Sequence, residues 1–132
     1  MEVKIDTKEK FTVVTPIITE LSANIAAEIA TTCTERLQKE VKNVILNLKS
    51  VLYVEESAAE SLGELQQEFY EKNASFVICA LQPTVEEMFE KMNLLELLNV
   101  TPTESEAGDI VQMEEIEREL LDGDNIEFDT NA

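Results

Sequence analysis

Histidine and tryptophan are absent from this chain of 132 residues, and glycine occurs only three times. Without histidine the chain lacks the commonest general base and the usual nitrogen ligand of zinc. Gly63, Gly108 and Gly123 are too far apart to form a phosphate-binding loop or a dinucleotide-binding fingerprint. These absences argue against most hydrolase, metalloenzyme and nucleotide-dependent classes, so we expect no enzyme activity, no cofactor and no metal.

Basic residues are scarce as well, with 10 against 28 acidic residues and a formal net charge of −18. A charge of this sign and size disfavours binding to nucleic acid or to an anionic membrane surface. No apolar run approaches the roughly 18 residues of a membrane span. Cys33 and Cys79 are widely separated in apolar surroundings, which favours reduced, buried thiols over a disulfide. The sequence therefore predicts a cytoplasmic protein without membrane insertion or a nucleic-acid partner.

Apolar periodicity predicts strands and helices that alternate along the chain. Val3 and Ile5 alternate with polar residues, and with residues 11–14 they predict a hairpin. From Leu21 to Val41 apolar residues recur every four positions, as on one face of a long helix. Later strands are predicted at residues 44–48, 51–54, 75–81 and 98–100. A helical pattern precedes the first of these strands, and another follows each of the other three. We expect an α/β fold whose mixed sheet has four to five strands, with helices mainly on one side.

Capping signals predict where the helices begin. Ser22 precedes the first long helix, and its hydroxyl is expected to bond a free amide there. Each later helix starts with the spacing of a capping box, in which a hydroxyl and a carboxylate bond free amides reciprocally. These boxes are Ser57–Glu60, Thr84–Glu87 and Thr103–Glu106.

The apolar residues of these elements predict one core and one apolar side of the last helix. The core is expected to hold Leu46, Leu48, Leu62, Leu65, Val77, Ile78, Met88 and Phe89. The last helix is expected to bury Ala107, Ile110, Val111, Met113, Ile116 and Leu120. Residues 103–132 hold eleven acidic residues and one basic residue, a net of −10. We therefore expect one domain over residues 1–121 and a flexible acidic tail over residues 122–132.

Ser57 lies where a predicted strand leads into a helix, and it has two interpretations that are compatible. Its hydroxyl can cap the helix, or it can carry a phosphate, since free amides and the helix dipole both favour an anion there. The adjacent Glu55 and Glu56, like Glu86 and Glu87, also suggest acid/base or Mg²⁺ chemistry. Neighbouring helix positions point to different faces, however, and among 28 acidic residues such pairs are typical of a solvated surface.

Three segments in this order resemble the STAS family, the sulphate-transporter and anti-sigma-factor-antagonist domains. They are VILNL at 44–48, VLYVEESAAESL at 51–62 and SFVICALQPTVEEMFEKMNLLELLNV at 75–100, and the resemblance extends over residues 2–112. EAGDIVQMEEIEREL at 106–120 is similar to the C-terminal helix of free-standing bacterial members. The resemblance implies the family's mixed sheet with helices mainly on one side.

The resemblance also implies a site. Family members that antagonise anti-sigma factors have an Asp-Ser-Ser-Gly motif, whose second Ser is phosphorylated by the anti-sigma factor, an ATP-dependent serine kinase. Laid over this sequence without a gap, the motif falls on Glu55, Glu56, Ser57 and Ala58, so only the phosphoacceptor serine is kept. An acidic residue that the family often has before its first long helix falls on Ser22.

By resemblance the chain is an anti-sigma factor antagonist-like signalling adaptor. It is expected to bind a protein partner, an anti-sigma factor with serine kinase activity, through Ser22, Glu55, Glu56, Ser57 and Ala58. Glu56 places a fixed negative charge beside the hydroxyl and opposes phosphorylation. The alternative is a phosphorylation-blind scaffold bound constitutively to a transporter or larger assembly, and a cation-dependent enzyme is a third hypothesis. Oligomeric state does not follow from the sequence.

Overall fold

The computed structural model describes residues 1–131, with side chains described for residues 1–121. The predicted flexible tail, residues 122–132, lies outside the part whose side chains are described. The strands are β1 (Val3–Thr7), β2 (Thr12–Pro16), β3 (Glu20–Leu21), β4 (Val44–Asn47), β5 (Tyr53–Val54), β6 (Phe76–Cys79) and β7 (Val100–Thr101). The helices are α1 (Ala23–Thr34), α2 (Glu56–Glu71), α3 (Pro83–Lys91) and α4 (Glu104–Asn131), and a 3₁₀ turn (Glu35–Gln38) follows α1.

The main sheet has five strands in the order β1-β2-β4-β6-β7. β1 and β2 form the predicted antiparallel hairpin, and every later pairing is parallel. β3 and β5 pair in parallel as a separate two-stranded sheet. The expected α/β fold, with a mixed sheet of four to five strands and helices mainly on one side, is confirmed.

Two cores lie on opposite faces of the main sheet, where the sequence predicted one. Because strand residues alternate between faces, Leu46 and Ile78 join the larger core with α1, α2 and α3, whereas Ile45 and Val77 face α4. Val77 was therefore assigned to the wrong face, and Met88 is only half-buried. The other six predicted core residues lie in the larger core: Leu46, Leu48, Leu62, Leu65, Ile78 and Phe89.

Helix α4 covers the second face of the sheet, where it contacts β4, β6 and β7. Ala107 and Val111 are buried against the sheet, and Ile110 is partly buried there. The other three residues predicted on its apolar side, Met113, Ile116 and Leu120, are exposed. At the start of α4 the hydroxyl half of the predicted capping box is found, since the hydroxyl of Thr103 accepts from the amide of Glu106 at 3.1 Å. The carboxylate of Glu106 accepts from that same hydroxyl at 3.2 Å, where a capping box would have it bond the amide of Thr103.

Candidate functional site

The starts of α1 and α2 lie side by side because the short strands before them are paired. Leu21 of β3 lies opposite Val54 of β5, and the amide of Glu55 donates to the carbonyl of Leu21 at 3.0 Å. The two strands are parallel and each leads directly into a helix, so both helices present their N-termini at the same edge. We call this place the paired helix end and define it by Ser22, Glu55, Glu56 and Ser57.

Ser22 is the N-cap of α1, as the sequence predicts. Its backbone is extended, with φ −89° and ψ 171°, and its hydroxyl accepts from the amide of Ile25 at 3.3 Å. The side chain is half-buried. Ser22 therefore satisfies one of the free amides of α1 and occupies the position at which the family often has an acidic residue.

Ser57 is not the N-cap of α2, so the predicted Ser57–Glu60 capping box is wrong. Glu55 holds the N-cap position, with φ −66° and ψ 148° and no capping bond from its side chain. Ser57 is the second helical residue and is exposed. Within the side chains that the structure describes, no hydrogen bond involves its hydroxyl. The hydroxyl is therefore presented to solvent in the first turn, where helix amides lack partners within the helix.

Ala58 is buried, which corrects its predicted place on the surface. Ala58 and Ala59 are both 0% exposed and belong to the larger core. Together with Leu62 and Leu65 they form the buried side of α2. A partner at the paired helix end would not contact the side chain of Ala58, and the site reduces to the exposed or half-exposed residues around it.

The paired helix end carries negative charge without a compensating ion pair among the described side chains. Glu55 and Glu56 are exposed, as are Glu20 on β3 and Glu60 one turn into α2. The positive end of the α2 dipole lies next to Glu55 and Glu56 and stabilises their negative charges. A further negative group on Ser57 would gain from the same dipole but would meet the repulsion of its neighbours.

Three exposed apolar residues, on two hydrogen-bonded chain segments beside the paired helix end, were missed by the sequence analysis. Ile17, Leu52 and Tyr53 are 43%, 52% and 45% exposed, and we call these three residues the apolar patch. The carbonyl of Thr19 accepts from the amides of Leu52 and Tyr53 at 2.8 and 3.1 Å, which holds the two chain segments together. The sequence VLYV suggests a strand buried on both faces, but only its first and last residues are buried.

Metal-binding and membrane-spanning features are not found in the part of the chain that the structure describes. No group of three potential ligand side chains there has a geometry that would hold a metal ion. No helix over the same residues has the length and apolar character needed to cross a membrane. Both cysteines are buried and free, and burial raises the pKa of each thiol to about 12.

Comparison with known proteins places this geometry in a family. The model of the STAS domain matches residues 2–107. A protein from Thermotoga maritima that is assigned as an anti-sigma factor antagonist superimposes with a TM-score of 0.73 at 17% identity, over 83% of this chain and 94% of its own. The Bacillus anti-sigma factor antagonist SpoIIAA, in its unphosphorylated form, gives 0.62 at 17% identity, over 84% and 98%.

A membrane transporter shares the fold as well. Murine solute carrier 26 family member A9, an anion transporter, gives a TM-score of 0.67 at 12% identity over 82% of this chain but only 18% of its own. This fold therefore occurs both as a separate protein and as a small part of a much longer one.

Proposed function

The chain belongs to the STAS domain family, and on this premise we propose that it is a protein-binding signalling adaptor of the anti-sigma factor antagonist type. Its proposed partner is an anti-sigma factor with serine kinase activity, which binds at the paired helix end. The fold likeness to anti-sigma factor antagonists supports this class of partner. We propose no catalytic step for this chain.

The observation that carries the proposal is the apolar patch next to an exposed helix start. Protein interfaces combine a desolvated apolar centre with a polar rim, and aromatic residues are enriched at their energetic centres. Leu52 and Tyr53 lie within five residues of Glu55 and Ser57 in the chain, and all four are exposed. The apolar patch supplies the centre of such an interface, and the paired helix end supplies its polar rim.

Ser57 is the proposed phosphoacceptor. Its hydroxyl is exposed at the second position of α2, and a phosphate there would face the helix amides that lack partners. The phosphate would add about 1.5 to 2 negative charges beside Glu55 and Glu56. We therefore propose that phosphorylation is slow in this chain and that its acidic neighbours take over part of the role of the phosphate.

A second candidate function is a scaffold that binds a transporter or larger assembly without a covalent switch. The fixed charge of Glu56 in the first turn of α2 supports it, because this charge does not depend on a kinase. The occurrence of the fold within an anion transporter supports the same class of assembly. Under this alternative the paired helix end and the apolar patch still bind a protein.

The test uses the chain of 132 residues and a purified anti-sigma factor of the serine kinase class from the same organism. Leu52→Ser is compared with Leu97→Ser, because both leucines are exposed and only Leu52 belongs to the apolar patch. Isothermal titration calorimetry should show at least about tenfold weaker binding for Leu52→Ser, which corresponds to about 1.4 kcal/mol, and unchanged binding for Leu97→Ser.

Two results would overturn the first proposal. One is the absence of any complex between the native chain and the kinase. The other is equal loss of affinity for Leu52→Ser and Leu97→Ser, which would mean that the apolar patch has no particular role.

A further inference from the structure

Helix α4 presents two different faces. Ala107 and Val111 pack on the sheet, and Glu114 and Arg118 on the same side bond residues of the domain. At 100° per residue, the exposed residues on the opposite side of the helix include three acidic and three apolar residues. We call this side the outer face and define it by Glu106, Asp109, Met113, Ile116, Glu117 and Leu120.

The apolar residues of the outer face are not used by the fold. Met113, Ile116 and Leu120 are 54%, 48% and 58% exposed. They follow one another at i, i+3 and i+7, which is the spacing at which a helix inserts its anchors into a partner. Single exposed apolar residues are normal, but three in line on one helix face indicate an interaction surface.

Charge decides what kind of partner fits this surface. Glu106, Asp109 and Glu117 lie on the outer face, whereas Arg118, the one basic residue among residues 103–132, is turned inward. Its guanidinium donates to the hydroxyl of Ser75 at 3.1 Å. The outer face therefore combines apolar residues with charged residues that are all acidic. Such a face is complementary to an apolar surface flanked by lysine or arginine.

The same charges argue against other occupants. In a symmetric pair of α4 helices the acidic residues of one copy would face those of the other, in a chain whose net charge is already −18. An anionic lipid surface would be repelled for the same reason.

We propose that the outer face of α4 docks a basic amphipathic segment of a partner protein. This face lies on the side of the sheet opposite α1 and α2, so the proposal is independent of the proposed function. It would give the chain a second binding surface, and both surfaces could be occupied at once.

The test measures binding of a synthetic helical peptide by fluorescence anisotropy. The peptide has leucine at i, i+3, i+4 and i+7 and lysine elsewhere, and a second peptide has the same composition in scrambled order. We expect the native chain to bind the ordered peptide at least about tenfold more tightly than the scrambled one, with weaker binding at high salt.

Two variants locate the site. The triple variant Met113→Ser, Ile116→Ser, Leu120→Ser should lose at least about tenfold in affinity, whereas Leu97→Ser should bind like the native chain. The isosteric variant Glu106→Gln, Asp109→Asn, Glu117→Gln should lose affinity at low salt and little at high salt. Circular dichroism checks that each variant keeps its helix content. If the serine variant does not fold, the isosteric variant alone tests whether the peptide binds the outer face.

Several outcomes would overturn the proposal. Equal binding of both peptides would show attraction by bulk charge alone, and unchanged binding by both triple variants would place the peptide elsewhere. A dimer in sedimentation velocity that is lost in the serine variant would assign the outer face to a second copy. Binding to neutral lipid vesicles that is lost in the same variant would assign it to a membrane surface.

Discussion

The amide of Glu55 donates to the carbonyl of Leu21 at 3.0 Å, and this bond joins the starts of two helices. It continues the pairing of β3 with β5 by one residue, so Glu55 keeps an extended backbone and becomes the N-cap of α2. As a consequence Ser57 lies inside the first helical turn, and its exposed side chain is accessible to a partner or a modifying enzyme.

A pair of serine substitutions tests this arrangement through stability. Ser22→Ala removes the cap of α1 and should lower the free energy of unfolding by about 0.5 to 1 kcal/mol. Ser57→Ala should change it by less than about 0.5 kcal/mol, because no cap is lost and alanine favours the helix. Urea denaturation of both variants measures the two values. A larger loss for Ser57→Ala than for Ser22→Ala would mean that Ser57 caps the helix after all.

Of the three hydroxyls predicted to cap helices as part of a capping box, only that of Thr103 does so. Thr103 caps α4 as predicted, but Ser57 and Thr84 do not cap α2 and α3. Pairing of β5 sets the start of α2, and Pro83 at the start of α3 makes Gln82 its N-cap. The hydroxyl of Thr84 instead donates to the carbonyl of Leu52 at 3.0 Å. The sequence spacing of a capping box gives no information on strand pairing or on such contacts between distant residues.

Periodicity predicted the elements better than it predicted which side chains are buried. The order of strands and helices and the buried run of β6 follow from the apolar pattern. The exposure of Leu52 and Met113 does not, because an apolar side chain gives the same signal on a core face and on a binding face. Each of the two proposed surfaces contains apolar residues that the sequence analysis assigned to the interior: Leu52 and Tyr53 in one, and Met113, Ile116 and Leu120 in the other.

The site was predicted by its place in the fold rather than by its contacts. The predicted strand-to-helix junction pointed to Ser57, and the resemblance to the family pointed to Ser22. The sequence did not predict that the two serines lie side by side. That arrangement depends on the pairing of β3 with β5, two strands of only two residues each. Ala58 was included because the glycine of the family motif falls on it. Its burial follows from its place on the side of α2 that packs in the larger core, which motif alignment does not give. Partner binding at these residues stays a prediction.

Asn43 links three parts of the structure and should be costly to remove. Its side-chain carbonyl accepts from the amide of Ser75 at 2.8 Å, and its amide group donates to the carbonyl of Lys10 at 2.9 Å. The same group donates to Glu115 of α4 at 2.5 Å. Asn43→Ala leaves buried backbone groups without partners and should lower the free energy of unfolding by about 2 to 4 kcal/mol.

Asn24→Ala is the matched control for this prediction. Asn24 is exposed in α1, where alanine is the better helix former, so the substitution should be neutral or slightly stabilising. Thermal and urea unfolding compare both variants with the native chain. Similar stability of the two variants would show that the Asn43 bonds contribute little.

Because the thiol of Cys33 is buried, we expect the folded chain to lose stability at high pH. Burial raises the pKa of Cys33 from 9.0 to about 12. The unfolded chain, with the ordinary pKa, therefore loses this proton first as the pH rises. Full stability is present below pH 9, and the free energy of unfolding should fall by about 1.4 kcal/mol per pH unit between pH 9 and 12.

Cys33→Ala separates this effect from other titrations in the same range. The variant loses some packing at every pH, but its free energy of unfolding should fall less steeply above pH 9 than that of the native chain. Urea denaturation at a series of pH values measures the two slopes. Equal slopes would show that the Cys33 thiol ionises in the folded chain as readily as in the unfolded one.

Glu56 tests whether fixed charge opposes phosphorylation of Ser57. Glu56 is the first residue of α2 and is exposed next to Ser57. Glu56→Ser removes one negative charge from the immediate neighbourhood of the hydroxyl, so the addition of a phosphate meets less repulsion. With an anti-sigma factor kinase, Mg²⁺ and ATP, mass spectrometry should show faster phosphate incorporation at Ser57 in this variant than in the native chain.

Glu64→Ser is the control that separates a local effect from the total charge. It makes the same change in net charge about two helical turns beyond Ser57, or about 10 Å along the axis of α2, where the carboxylate is exposed as well. We expect it to accelerate phosphorylation less than Glu56→Ser does, because repulsion through water weakens with distance and is screened by salt. Equal rates for the native chain and Glu56→Ser would show that Glu56 does not block the kinase. Rapid phosphorylation of the native chain would favour an ordinary phosphorylation switch over the scaffold.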